Sequence, residues 1–167
     1  MEHAEAQKEF LTYYDSYGNA IFRYCLLRLR DKEKAHELVQ ESFMRLWQTI
    51  RNGEKITYPK ALIYKIAFNL IVNYTARIKS VSLDQMYETD DFEPASDDHE
   101  RFYENADGRR AAKALRLIDP IYRDAVYMRY IEGMSVKEIA VSIGVSQTVA
   151  SVRIYRGLKK LKVLLTQ

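Results

Sequence analysis

Between Ser135 and Leu161 two short amphipathic stretches, SVKEIAVSIGVSQTVASVRIYRGLKKL, meet at a tight corner. Ile139, Ala140 and Ile143 form an apolar stripe on the first stretch. Gly144 then interrupts it, the residue type that turns a chain where a Cβ would clash. Val145 is apolar, and Ser146 is a good N-cap for a second helix. That helix carries Ala150, Ile154, Leu158 and Leu161 on one face. A small Ala140 and a glycine at the corner allow close crossing, so the stretch reads as a helix-turn-helix. From Gly144 onward there are basic residues at Arg153, Arg156, Lys159, Lys160 and Lys162 and no acidic one. A positive second helix in this motif suits a DNA groove. An ordinary helical hairpin with a solvated basic face is the plainer alternative.

Charge is distributed unevenly behind a net of +3. Residues 84 to 107 hold ten acids, from Asp84 to Asp107, against the single base Arg101. The rest of the chain keeps 25 basic and 13 acidic residues. Two basic blocks joined by an acidic strap point to a polyanionic partner. The strap itself is a solvated linker or a segment that imitates nucleic acid in a basic channel.

At 167 residues the chain forms one medium domain or two small ones. No apolar run reaches the length of a membrane span, so direct membrane insertion is not expected. The N-terminal MEHAEAQKEF is not a secretory signal. Cys25 is the only cysteine, which fits a reducing cytosol and a cytoplasmic location. It lies on an apolar helical stripe and reads as a small core residue.

Only six glycines and three prolines break the chain, and helical periodicity dominates. Phe10, Tyr14, Tyr17, Ile21, Cys25 and Leu29 form one stripe. After Arg30-Asp31, Ala35, Leu38, Val39, Phe43, Leu46, Trp47 and Ile50 form a second, ended by Asn52-Gly53. Pro59 opens a third helix with Leu62, Ile63, Ile66, Ala67, Leu70 and Ile71 inward, closing at Lys79-Ser80. The strap has no sustained period, and Glu93-Pro94 argues against one continuous helix. A second block starts near Tyr103. Ala111, Leu115 and Ile118 precede Asp119-Pro120, then Ala125, Val126, Met128 and Tyr130 continue to Gly133. The expected fold is all-α: two small helical domains, residues 1–80 and 104–167, joined by an acidic flexible linker over 81–103, the C-terminal one a helix-turn-helix.

LVQESFMRLW at Leu38–Trp47, ALIYKIAFNLIVNY at Ala61–Tyr74 and the C-terminal helix-turn-helix occur in one order and spacing. Together they resemble the extracytoplasmic-function sigma factors of bacterial RNA polymerase. The resemblance implies a transcription initiation factor that binds core RNA polymerase. It implies recognition of a minus-35 element by the C-terminal domain and melting of a minus-10 element by the N-terminal one. Its partners would be the polymerase, promoter DNA as duplex and single strand, and an anti-sigma factor.

The resemblance assigns roles residue by residue. On the second helix, Glu37, Gln40, Glu41, Met44 and Arg45 would dock on the polymerase, a polar face with an apolar anchor. A solvated face is the alternative. For the minus-10 strand, aromatic stacking, polar contacts and cations are needed. Lys55, Tyr58 and Lys60 lie in or beside the preceding loop, Asn69 matches a characteristic family Asn, and Arg77 remains for phosphate. Asn73 stands where Asp is usual and Phe68 where Arg is usual. Core packing is the alternative for Tyr64 and Tyr74. On the recognition helix, Thr148, Ser151, Val152, Tyr155 and Arg156 would face the groove, with Arg156 bidentate to a guanine. Gln147, Arg153 and Lys159 would contact phosphate. Ser151 and Val152 replace the family's Lys and Ser.

No catalytic set, phosphate-binding glycine loop or nucleophile motif is visible. His3, His36 and His99 lack ligand spacing, and the strap lacks the spacing of a calcium loop. The chain therefore reads as a non-enzyme with no cofactor, metal or small-molecule substrate. Two other classes share these features: a helix-turn-helix regulator that binds duplex DNA without polymerase, and a decoy that binds polymerase without DNA.

Overall fold

The computed structural model describes residues 2–84 and 106–166. Among them the regular structure is helical throughout, with no strand. Helix α1 spans His3–Leu29 and ends at Arg30, whose φ of 56° lies in the left-handed region. Its N–H bonds the Leu26 carbonyl at 2.9 Å, so α2 can fold back at once. Helix α2, Lys32–Arg51, starts at Asp31, whose side chain accepts from the Lys34 N–H at 3.1 Å.

Helix α3 opens at Pro59 as expected but runs to Asp84, past the predicted end at Lys79-Ser80. The Ser80–Asp84 stretch has neither glycine nor proline, and polar residues alone do not stop a helix. The three helices enclose Ile21, Cys25, Leu38, Phe43, Leu46, Ile50, Ile63 and Ile71. Tyr64 is fully buried, whereas Tyr74 is partly exposed beneath the Lys34 ammonium.

The second block consists of α4 (Ala106–Leu115), α5 (Pro120–Val126), a π-helical turn (Tyr127–Ile131), α6 (Val136–Ile143) and α7 (Gln147–Leu165). The π turn corrects the expected stripe. Its wider winding changes the phase, so Tyr127 is buried while Tyr130 is 56% exposed. Arg123 donates to the Leu115, Arg116 and Ile118 carbonyls at 2.8–2.9 Å, satisfying the orphan end of α4. Ser135 and Glu138 form a reciprocal capping box at the start of α6. At the helix-turn-helix corner Gly144 has φ 71°, and the Ser146 hydroxyl accepts from the Val149 N–H. Gly157 is a feature the stripe did not anticipate. A Cβ there would lie 3.1 Å from Tyr122 and would overlap the Val126 side chain, so α5 and α7 cross in close contact.

The two blocks pack against each other, with α3 lying along α6, and share one continuous apolar core. The rings of Tyr24 and Tyr64 meet at 5.4 Å and those of Tyr24 and Tyr127 at 5.7 Å. The predicted acidic linker lies outside the described residues from position 85 onward.

Candidate nucleic-acid and protein interfaces

The recognition helix α7 is anchored by Ala150, Ile154, Gly157 and Leu161. Thr148, Ser151, Val152, Tyr155 and Arg156 are all exposed, Tyr155 at 68%, and so form one free face as expected. Gln147 and Lys159 are exposed at its flanks. Arg153 differs: it is half-buried and lines a crevice of about 360 Å³ shared with Arg28, Phe68, Val72 and Asp124. The exposed face combines one guanidinium, one phenol and small side chains, a set able to read base edges in a major groove.

The expected strand-binding residues are divided. Asn69, Asn73 and Arg77 are exposed along α3, and Lys55 is exposed in the loop before it. Tyr58 and Lys60 meet the second block. The Lys60 ammonium donates to the Glu132 carbonyl, and the Lys137 ammonium stands 5.3 Å from the centre of the Tyr58 ring. Phe68 is half-buried and lines the same crevice as Arg153.

On α2, Glu37, Gln40, Met44 and Arg45 are exposed, and Glu41 is partly so. Glu41 accepts from Arg45 at 3.1 Å, and Glu37 accepts from Lys34 at 3.0 Å. Met44 is 58% exposed, an apolar anchor within this polar ring. The structure adds a wall that the α2 sequence could not reveal. Phe10, Leu11 and Tyr14 of α1 join Gln40, Met44 and Trp47 around a groove of about 630 Å³. Tyr14 was expected in the core but faces this groove. The signal for it was present: Leu11 breaks the polar side of α1, four residues after Gln7.

The contact between the blocks is polar as well as apolar. Asp124 is buried, with its carboxylate 2.5 Å from Arg28 and 3.0 Å from the Tyr24 hydroxyl. Burial pushes the Asp124 carboxyl up, against the pull of Arg28 and Tyr24. Burial also opposes the charge on Arg28, but Asp124 outweighs it and holds the guanidinium charged. The short contact fits an ion pair. Beside it the Glu132 carboxylate accepts from Tyr127 at 3.0 Å and faces Arg23 at 3.8 Å. The Ser142 hydroxyl donates to the Ala61 carbonyl at 2.9 Å.

Among the described residues no cluster of His, Cys, Asp and Glu could hold a metal. His3 packs edge-on against Trp47 and His36 stacks on Phe22; His99 lies outside the described residues. No described helix is long and apolar enough to cross a membrane.

Residues 13–80 match the model of sigma-70 region 2, and residues 109–161 match that of sigma-70 region 4. The chain belongs to the extracytoplasmic-function sigma factors. The family comprises transcription factors rather than enzymes. This sigma factor is 27% identical over 148 residues to the extracytoplasmic-function sigma factor SigE of Mycolicibacterium smegmatis, covering 87% of this chain and 57% of that one. It is 26% identical over 159 residues to BldN of Streptomyces coelicolor, covering 91% of this chain and 58% of that one. The chain thus spans a little over half the length of these two curated relatives. Among solved structures, its fold is similar to that of the sigma factor RpoE in complex with the anti-sigma factor NepR from Bartonella quintana. That match has a TM-score of 0.77 and 21% identity, and covers 95% of this chain and 98% of that one.

Proposed function

We propose that this sigma factor binds core RNA polymerase and directs it to specific promoters. Residues 1–80 act as the region 2 domain and residues 104–167 as the region 4 domain, with 81–103 as the acidic connection. The observation that carries the reading is the free face of α7, Thr148, Ser151, Val152, Tyr155 and Arg156, in a chain that also presents the α2 ring around Met44. The first surface reads a minus-35 duplex, with Gln147, Arg153 and Lys159 on phosphates. The second docks on polymerase through Glu37, Gln40, Glu41, Met44 and Arg45.

Lys55, Tyr58, Lys60, Asn69, Asn73 and Arg77 handle the minus-10 strand. The chain works in the cytoplasm and carries no reaction of its own. An anti-sigma factor is a further partner, in keeping with the complex that the similarly folded RpoE forms with the anti-sigma factor NepR.

The test is in-vitro transcription with core polymerase on a promoter library. Sequence-selective initiation is expected, together with loss of polymerase co-purification in Gln40→Ala/Glu41→Lys at unchanged helicity. Selective duplex binding without initiation would instead make the chain a polymerase-independent regulator. Polymerase binding without promoter selection would make it a decoy.

A further inference from the structure

The seam between α1 and α2 holds a pocket of about 520 Å³ whose lining includes none of the residues assigned to DNA or polymerase. That volume is in the range of small-molecule sites. Asp15, Gly18, Asn19 and Phe22 recur at three and four along α1 and so share one face. Lys32, His36 and Val39 form the opposing face of α2 by the same spacing.

Gly18 is the residue that folding alone explains least. A glycine inside a helix weakens it relative to alanine. The backbone does not ask for one here, because the left-handed glycines are Gly53, Gly133 and Gly144. Packing does not ask for one either: a Cβ at Gly18 would meet no atom within 4 Å. Gly157 is the opposite case, crowded by Val126 and Tyr122. What a side chain at Gly18 would take up is the space of the pocket, and the helix gives up stability to keep that space open.

The polar groups of the pocket are opposite in sign and unspent. The Asp15 carboxylate comes from α1 and the Lys32 ammonium from α2. Among the described residues neither makes a hydrogen bond or an ion pair, with the other or with any third group. Lys34, two residues on, shows the contrast: it pairs with Glu37 and covers the Tyr74 ring. Two opposite charges that line one pocket without closing on each other leave room for a molecule that carries both complements. Its ammonium belongs at Asp15, where the Asn19 amide is a neighbour on the same face. Its carboxylate belongs at Lys32, the first residue of α2, where the helix dipole also favours an anion. The rest of the lining is largely aromatic. The Phe22 and His36 rings stack at 4.4 Å, and Tyr14 and Val39 complete the surface. A third ring packs well against such surfaces.

We propose that this pocket binds a small zwitterion with a ring-bearing side chain, an aromatic amino acid, its ammonium on Asp15 and its carboxylate on Lys32. A purely anionic or purely cationic ligand would leave one of the two charges unanswered. Gly18 supplies the room for the ring.

The test is isothermal titration calorimetry of the full chain with L-tryptophan, L-phenylalanine and L-tyrosine. At least one should bind at a single site with a Kd below about 1 mM. Analogues of it that lack one charge, such as tryptamine and indole-3-propionate for tryptophan, should each bind about tenfold more weakly, having lost one charge-assisted contact. Asp15→Ala should weaken the amino acid about tenfold yet leave the ammonium-free analogue unchanged. Lys32→Ala should do the same and leave the carboxylate-free analogue unchanged. Both residues are exposed, so both variants keep the fold. Gly18→Leu should abolish binding of every probe at unchanged helicity, with a melting temperature equal to or above that of the parent.

No saturable binding of any of the three amino acids up to about 10 mM overturns the proposal. So does equally tight binding of an analogue that lacks either charge, or undiminished binding by Gly18→Leu at full helicity. If Gly18→Leu loses helicity, Asp15→Ala and Lys32→Ala decide, and binding unmoved by both variants rejects the site.

Discussion

The N-terminal block is built from helices of 27, 20 and 26 residues, whereas three of the four α-helices in the C-terminal block have 10, 7 and 8. Helices below about 12–15 residues are marginal in water on their own. The long helices hold by their buried stripes, and two of their ends are simple: Asp31 caps α2, while Arg30 closes α1. The short ones depend on specific ties. Arg123 collects three carbonyls, Ser135 and Glu138 cap each other, and Gly157 lets α5 and α7 touch. The same total fold is thus distributed differently, as area in one block and as local chemistry in the other. The block that relies on local chemistry is the one that presents its reading face freely.

The largest effect should come from cutting the area on which the first block depends. Leu46 is fully buried, and Leu46→Ala should cost about 3 kcal/mol in urea unfolding. A loss under about 1 kcal/mol would mean that the stripe is not what holds this block. Next, Gly157→Val should destabilise by about 2 kcal/mol through overpacking against Val126 and Tyr122. Neutral or higher stability would show that α5 and α7 separate easily.

The reading face is tested at a comparable size. Arg156→Ala should remove roughly 1–3 kcal/mol of discrimination at one or two minus-35 positions in holoenzyme binding to a randomised library. Lys159→Ala should instead weaken all sequences alike and lower the salt slope by about one unit. If Arg156→Ala keeps every base preference, Ser151 and Val152 become the principal readers. The smallest pair compares the caps directly. Ser135→Ala should cost about 1 kcal/mol and Asp31→Ala about half of that, because α6 has little else to hold its first turn. Equal costs by thermal unfolding would erase the distinction between the blocks.

Much of this was legible from local signals. Asp31, Pro59, Gly144 and Ser146 mark helix ends through contacts within four residues. The α7 face followed from spacing once Ala150 and Ile154 were put inside. The π turn was not legible, because one wider turn shifts the phase without any distinctive residue, and Tyr127 replaced Tyr130 in the core. Tyr14 was misassigned because an aromatic at stripe spacing suits a groove wall as well as a core.

By itself the sequence determined the all-helical class, the helix-turn-helix corner, the uneven charge and the α2 ring around Met44. Each follows from periodicity or from chemistry carried by neighbouring residues. Only the tertiary structure decided that Asp124 meets Tyr24 and Arg28, 100 and 96 positions away, and that Lys60 is spent on Glu132. It also decided that α1 completes the groove beside Met44 and that Gly157 marks a close crossing. A charge or a glycine shows in the sequence what it is able to do. Which partner it meets depends on how whole helices pack, and that packing is set by the sum of many apolar contacts that no single position announces.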